Sequence, residues 1–305
     1  VTTRAETGAV RVAVVGGAGA VGAMLVDLAR SGGDDVIVID RVRPDGDRAA
    51  LVADVTAPSE SVRAALAGAD VVVLAVPETV AVGAVPVVDR AMPHGALLVE
   101  TLSVKTRIHR TLREDAADRP ALGINPMFAP GLGVTGRPVA AVVHRDGPAV
   151  DRFLAAVAGW GGRVVRLGAA EHDRVTAATQ ALTHAAVLAF GLALADAGVG
   201  SDELAATAPP PHTTMLALLA RVGAGAPEVY HDIQAGNPDA AAARKALAAA
   251  LARLSETVER GDEQAFADLM AEAVRPLGDS LDGYRAMCAA MFEQLRDRPP
   301  EGGPP

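Results

Sequence analysis

The chain reads as an α/β protein in two parts: an N-terminal Rossmann dinucleotide-binding domain over residues 9–168, then an all-helical domain over residues 169–295. Three observations predict this. Short apolar runs alternate with helical stretches as far as residue 167, a GxGxxG turn separates the first run from the first helix, and the strand signal stops from residue 169 onward. At 305 residues and 50% hydrophobic, the chain is long enough for two domains of similar size.

The opening run, residues 10–40, is VRVAVVGGAGAVGAMLVDLARSGGDDVIVID: an apolar strand, a turn at Gly17, Gly19 and Gly22, an amphipathic helix, a second strand and a terminal acid. The three glycines are expected to permit the tight turn, the approach of backbone to a pyrophosphate, and close helix–strand packing, in that order. The segment Gly17, Ala18, Gly19, Ala20, Val21 and Gly22 is therefore assigned to the cofactor, whose phosphates would meet the positive end of the helix. Asp40, 23 residues after Gly17, suits the two ribose hydroxyls of NAD and would repel a 2′-phosphate. Arg41 follows it and could stack on adenine, contact a 2′-phosphate or stay in solvent, so NADP is the second reading.

Further along, residues 70–77 (DVVVLAVP) form the clearest later strand, and its exit, Ala75, Val76 and Pro77, belongs at the sheet edge where doubly wound folds bind ligands. Residues 97–100, 121–125, 139–144 and 163–167 are further strands of an expected parallel sheet, with a helix near 149–160. Helices follow at 171–197, 214–222, 240–260 and 263–291, broken by Pro- and Gly-bearing turns. They are rich in Ala and Leu with few aromatics, a composition that favours completing the core by pairing with a second copy. The tail, residues 296–305, is expected to be disordered.

Composition excludes several classes. A net charge of −9, 3% aromatic residues and no basic cluster argue against a nucleic-acid surface, so an anionic substrate must be caught locally. The single cysteine, Cys288, forms no internal disulfide or cysteine zinc site, fits a reducing cytoplasm, and is expected in a helix core. The longest apolar run, residues 185–195, is shorter than the roughly 18–20 residues of a membrane span, and no signal-peptide region is seen, so a soluble cytoplasmic protein without a membrane partner is expected. His172-Asp173 lacks a third ligand at metal spacing and reads as a polar pair, with no metal expected.

Four stretches resemble the prephenate and arogenate dehydrogenase family: GGAGAVG at residues 16–22, SVK at 103–105, NPMFAP at 125–130, and the long run from WGGRVVRLGAAEHD to THAAVLAFGLALA between residues 160 and 195. The likeness extends to about Met291 and implies a Rossmann domain followed by a helical dimerisation domain, NAD as cofactor, and oxidative decarboxylation of a small anionic cyclohexadiene by a homodimer. It also implies roles for Ser103 and His184 in the active site; Gln180 is assigned to the substrate, and Arg221 or an arginine from a partner subunit is the candidate cation for its carboxylates. Ser103 can equally be read as a helix N-cap.

Two departures from the family matter. Where the family carries a catalytic histidine before PMF, this chain has Asn125, which cannot take the proton that a C4 hydroxyl must lose as hydride leaves. The family's substrate-binding arginine, counted from the segment Tyr230-His231-Asp232-Ile233, falls at about Asp239, leaving Arg221 and Arg244 as the nearest cations. An amino substituent needs no strong base, because its lone pair expels the hydride, and the Asn125 oxygen can accept its N–H. The resemblance therefore points to the 4-amino-4-deoxyprephenate branch, with Asn125 in the catalytic set. The alternatives are an ordinary prephenate or arogenate dehydrogenase and a non-catalytic NAD-binding sensor.

Asp40 generates the first prediction. In calorimetric titration NAD should bind more tightly than NADP; the reverse order would transfer the adenosine-side role to Arg41.

Overall fold

A computed structural model describes residues 8–116 and 118–296 and divides the chain into two compact units, one of residues 1–176 with 231–238, the other of residues 177–230 with 239–305. The expected tail at 297–305 lies outside the described residues.

The first unit is built on eight strands: β1 (Arg11–Val15), β2 (Asp35–Asp40), β3 (Leu51–Val52), β4 (Val71–Leu74), β5 (Leu97–Glu100), β6 (Ala121–Pro126), β7 (Pro138–Arg145) and β8 (Arg163–Arg166). They lie in the order β3-β2-β1-β4-β5-β6-β7-β8. Alternation along each strand sends successive side chains to opposite faces. Val12 and Val14 of β1 join Val71, Val73, Leu97 and Val99 beneath α1 (Ala20–Ser31) and a later helix at Pro148–Gly159. Ala13 and Val15 join Val72, Leu74 and Leu98 on the other face, covered by α2 (Glu60–Ala67), α3 (Glu78–Ala91) and α4 (Thr106–Asp115). Both faces are dry, which is why these strands are apolar at nearly every position.

The expectation of a wholly parallel sheet is corrected at one place. β6 and β7 pair antiparallel, with Asn125 opposite Ala140, while all other neighbours are parallel. Only residues 127–137 separate these two strands, and they hold a single short 3₁₀ turn (Pro130–Leu132) rather than a crossover helix, so the chain must reverse. α5 (Pro148–Gly159) then supplies the crossover that makes β8 parallel to β7.

The helical stretches are more broken than periodicity suggests. The expected helix at 171–197 is α6 (Ala169–Thr176), a π-helical turn (Ala177–Ala181) and α7 (Leu182–Asp196). The first compact unit runs on to Thr176, beyond the expected boundary at 168, because His172 and Asp173 of α6 are fully buried in it. The run Ala169–Asp196 also has the length and hydropathy of a membrane-spanning helix, which the count of uninterrupted apolar residues missed. Next come α8 (Ser201–Thr207), α9 (Pro210–Gly223), α10 (Pro227–Gly236), α11 (Ala240–Glu259), α12 (Glu263–Val274) and α13 (Leu281–Arg296). The expected single helix at 263–291 is interrupted at Arg275–Ser280, where Gly278 has φ 50°. Cys288, expected in a core, is exposed on α13. It shares that exposure with Tyr284, Met287 and Met291, while Leu251, Val258, Phe266 and Met270 are exposed on α11 and α12. The second unit thus leaves a large apolar surface uncovered.

One buried ionic cluster fixes the sheet's carboxyl edge. Lys105 Nζ donates to both oxygens of Glu100 at 2.9 and 2.8 Å and to the Ile124 carbonyl at 3.1 Å. His144 Nε2 donates to Glu100 Oε1 at 2.8 Å, and its Nδ1 lies 2.9 Å from His109 Nδ1. Burial alone would raise the Glu100 carboxyl, but Lys105 and His144 hold it below its ordinary value. Gly123 makes the room: a Cβ there would collide with the Glu100 carboxylate.

Removing one charge from this cluster strands the other in a dry interior. Lys105→Met should cost about 3–5 kcal/mol of unfolding free energy in urea titration, and adding Glu100→Gln should restore part of it. A loss below about 1 kcal/mol for the single variant would contradict this account of the cluster.

Candidate active site

The glycine turn is held by its surroundings more tightly than by its own sequence. Gly16 adopts φ 85° and a Cβ on it would run into the Ala75 carbonyl, while a Cβ on Gly22 would run into Gly16. The left-handed residue is therefore Gly16, one position before the glycine expected to make the turn, whereas Gly22 does provide close packing. This brings Ala75 and Val76 against Gly16, and the N-cap of α1, Gly19, offers no capping side chain. A closely approached backbone, an uncapped helix N-terminus and an acid at the end of β2 fit a dinucleotide. Asp40 has a second job that sequence reasoning missed. Its Oδ2 accepts the Ala18 N–H at 2.9 Å and its Oδ1 the Val42 N–H at 3.1 Å, so the carboxylate also ties the turn to β2. Arg41 is exposed.

Ser103 and Asn125 leave the same sheet edge, from the ends of β5 and β6. Ser103 is half-buried in the loop before α4 and does not cap that helix, whose N-cap position is Lys105. Capping comes instead from a distant residue. Asp173 Oδ1 accepts the Lys105 N–H at 2.8 Å, and its Oδ2 accepts the Thr106 N–H at 2.8 Å and the Thr106 hydroxyl at 2.6 Å. Asp173 Oδ1 also meets His172 Nδ1 at 2.9 Å, and His172 Nε2 lies 3.2 Å from Asn125 Nδ2. Burial would raise the Asp173 carboxyl, but the donors from His172, Thr106 and Lys105 hold it below its ordinary value. The HD pair is thus the support behind Asn125.

Two further side chains were not singled out from sequence. Glu78 opens α3 directly after Pro77, half-buried, with Arg107 at 3.4 Å; burial raises its carboxyl despite that guanidinium. Its Oε1 is buried without a hydrogen-bond partner among the described residues. Tyr230 is the other. Within the second unit its ring meets His184 edge-on, with centroids 4.8 Å apart at 76°. Burial, reinforced by the charge of Arg221, lowers the His184 pKa, so the imidazole is neutral at neutral pH. His184 on α7 and Tyr230 on α10 are therefore in contact, and the charge of Arg221 on α9 is felt at the histidine. Gln180 lies in the π-helical turn preceding α7. An aromatic seven residues before Asn237 and an arginine in the last turn of α9 were the signals available, and neither by itself marks a site.

Comparison with known proteins agrees with these elements. Residues 168–272 match the family described as prephenate dehydrogenase, dimerization domain, and residues 11–103 match the family described as NADP oxidoreductase coenzyme F420-dependent. The chain is 54% identical over 288 residues to a 4-amino-4-deoxyprephenate dehydrogenase of Streptomyces pristinaespiralis, covering 93% of this chain and 97% of that protein. It is 32% identical over 212 residues to the T-protein of Enterobacter agglomerans, covering 68% and 56% of the two chains. Its fold resembles a prephenate dehydrogenase from A. aeolicus, solved with hydroxyphenyl propionate and NAD+, at a TM-score of 0.70 and 17% identity over 86% of this chain and 95% of that one. Synechocystis arogenate dehydrogenase gives a TM-score of 0.62 at 18% identity, covering 90% and 99%. A Rossmann sheet carrying an uncapped glycine turn, followed by a helical dimerization domain, and near-complete alignment with a relative more than half identical lead to one conclusion: the chain belongs to the prephenate dehydrogenase family of oxidoreductases.

Proposed function

We propose that the chain is an NAD-dependent dehydrogenase that converts 4-amino-4-deoxyprephenate to 4-aminophenylpyruvate and CO2. The observation that carries this reading is Asn125: a buried amide, supported by His172, stands at the end of β6 where the family's proton acceptor is expected. The 54% identity to a 4-amino-4-deoxyprephenate dehydrogenase supports the same substrate and favours an enzyme over a sensor.

In this reading the turn Gly17, Ala18, Gly19, Ala20, Val21 and Gly22 holds the pyrophosphate, Asp40 and Arg41 face the adenosine, and Ala75, Val76 and Pro77 line the nicotinamide side. NAD, when bound, accepts the hydride from C4. The C4–H pair leaves as hydride, the nitrogen lone pair supports the electron-poor carbon, and the ring carboxylate departs as CO2 while its bonding pair completes the aromatic ring. The Asn125 oxygen accepts an N–H of the amino group and removes no proton. Ser103 orients the same substituent, and neutral His184 donates or accepts a hydrogen bond without adding charge. Arg221, with Gln180, holds the substrate's carboxylates, where a guanidinium offers paired donors. The apolar surface of α11–α13 and the match to a dimerization domain support a homodimer. Cytoplasmic location, with no nucleic-acid or membrane partner, fits the composition; the apolar helix α7 (Leu182–Asp196) then belongs to that dimeric unit.

Two measurements test this. NAD reduction should be fastest with 4-amino-4-deoxyprephenate when prephenate and arogenate are assayed in parallel. Asn125→His should lower kcat/KM for the amino substrate roughly ten- to two-hundred-fold, because a protonated imidazole donates to the amine lone pair that must support hydride loss, and a neutral one adds an unneeded base. Faster wild-type oxidation of prephenate would replace this reading with the tyrosine-pathway one. Independently, light scattering should give twice the 30.9 kDa chain mass, and an active monomer at micromolar concentration would defeat the dimer.

A further inference from the structure

We infer that His172 and Asp173 are positioning residues that set which end of the Asn125 amide faces the reacting substituent. This rests on the reading of Asn125 given above.

The argument begins at Asp173, which is fully buried and receives four donors: the N–H groups of Lys105 and Thr106, the Thr106 hydroxyl and His172 Nδ1. A carboxylate so surrounded offers only acceptors, so the proton on the imidazole belongs at Nδ1. In a neutral ring Nε2 then carries a lone pair. The atom facing that lone pair must be a donor, and it is the Asn125 amide nitrogen at 3.2 Å. The oxygen of the same planar amide is thereby turned away from His172.

The pair is itself immobilised. Thr176 Oγ1 donates to the carbonyls of His172 and Asp173, at 3.0 and 3.2 Å, and Asn237 Nδ2 donates to the Asp173 carbonyl at 2.8 Å. His172, Asp173 and Asn125 are 0%, 0% and 2% exposed, so water does not compete for these bonds. The chemical consequence is selective. An amide oxygen aimed at the substituent steadies an amine through its N–H, and nothing more is required of it. It can bind a hydroxyl in the same way but cannot take its proton, so prephenate would bind and fail to react. Reversing the imidazole tautomer reverses the amide, presents NH2 in place of oxygen and sets two donors against each other.

Nitrogen-15 NMR of the full-length protein tests the tautomer directly, with His172 assigned by loss of its signal in His172→Gln. The expected result is a proton on Nδ1 and none on Nε2 in the wild type, reversed in Asp173→Asn. A wild-type proton on Nε2 overturns the inference whatever the activity. In turnover, Asp173→Asn should lower kcat for the amino substrate roughly ten- to hundred-fold with KM within about threefold. On an Asn125→Asp background, where the side chain has no amide ends to choose between and its acceptors call for a proton at Nε2, the same change should cost at most a few-fold in kcat. Equal losses on the two backgrounds would show Asp173 to be merely structural and overturn the inference. If the tautomer is as expected but the wild type prefers prephenate, the functional reading fails while the positioning stands.

Discussion

The Asp173 carboxylate is the point on which the site depends. It replaces the missing cap of α4, fixes the imidazole of His172, and through that ring holds Asn125. Each task would be costly unaided, since unsatisfied N–H groups at a buried helix start and an unsupported amide both lose water without compensation. One ionised group in the right place solves them together. It also explains why α6 packs with the sheet-bearing unit although it follows the last strand in sequence.

Beneath that edge lies a second charged cluster with a different purpose. Lys105 bridges the carboxylate at the end of β5 and a carbonyl near the end of β6, so the two strands that carry Ser103 and Asn125 out of the sheet share one ammonium. The SVK sequence thus combines a serine in the loop, an apolar residue in the core and a lysine under the floor. Burial of these ions contributes little net stability, but the cost of disrupting them makes the alignment of β5 and β6 hard to change.

Much of this was legible in the sequence because it depends on local pattern. Apolar runs, glycine spacing and the loss of strand signal after residue 167 gave the architecture, and Asn125 stood out against the resemblance. What escaped depends on residues far apart in the chain. Neither the 68 positions between Lys105 and Asp173 nor the 47 between Asn125 and His172 leave a periodic trace. The HD pair was read as structural, which describes its burial and omits what it supports. Arg221 was named as a candidate cation, but nothing in the sequence signals that its charge, from the preceding helix, acts on His184. The reversal at β7 was missed because a strand's own sequence does not encode its direction, and only the short connection does.

That reversal changes what the fold can accommodate. Because β6 runs toward the ligand edge and β7 runs back from it, residues 127–137 turn the chain there without a crossover helix, and the turn is anchored by Met127 N–H on the Pro138 carbonyl and Gly136 N–H on the Gly161 carbonyl. A segment pinned at both ends tolerates insertion well, since each doubling of loop length adds only about 0.6 kcal/mol of closure entropy. The length of this connection can therefore change while the buried ions and the amide's support stay as they are.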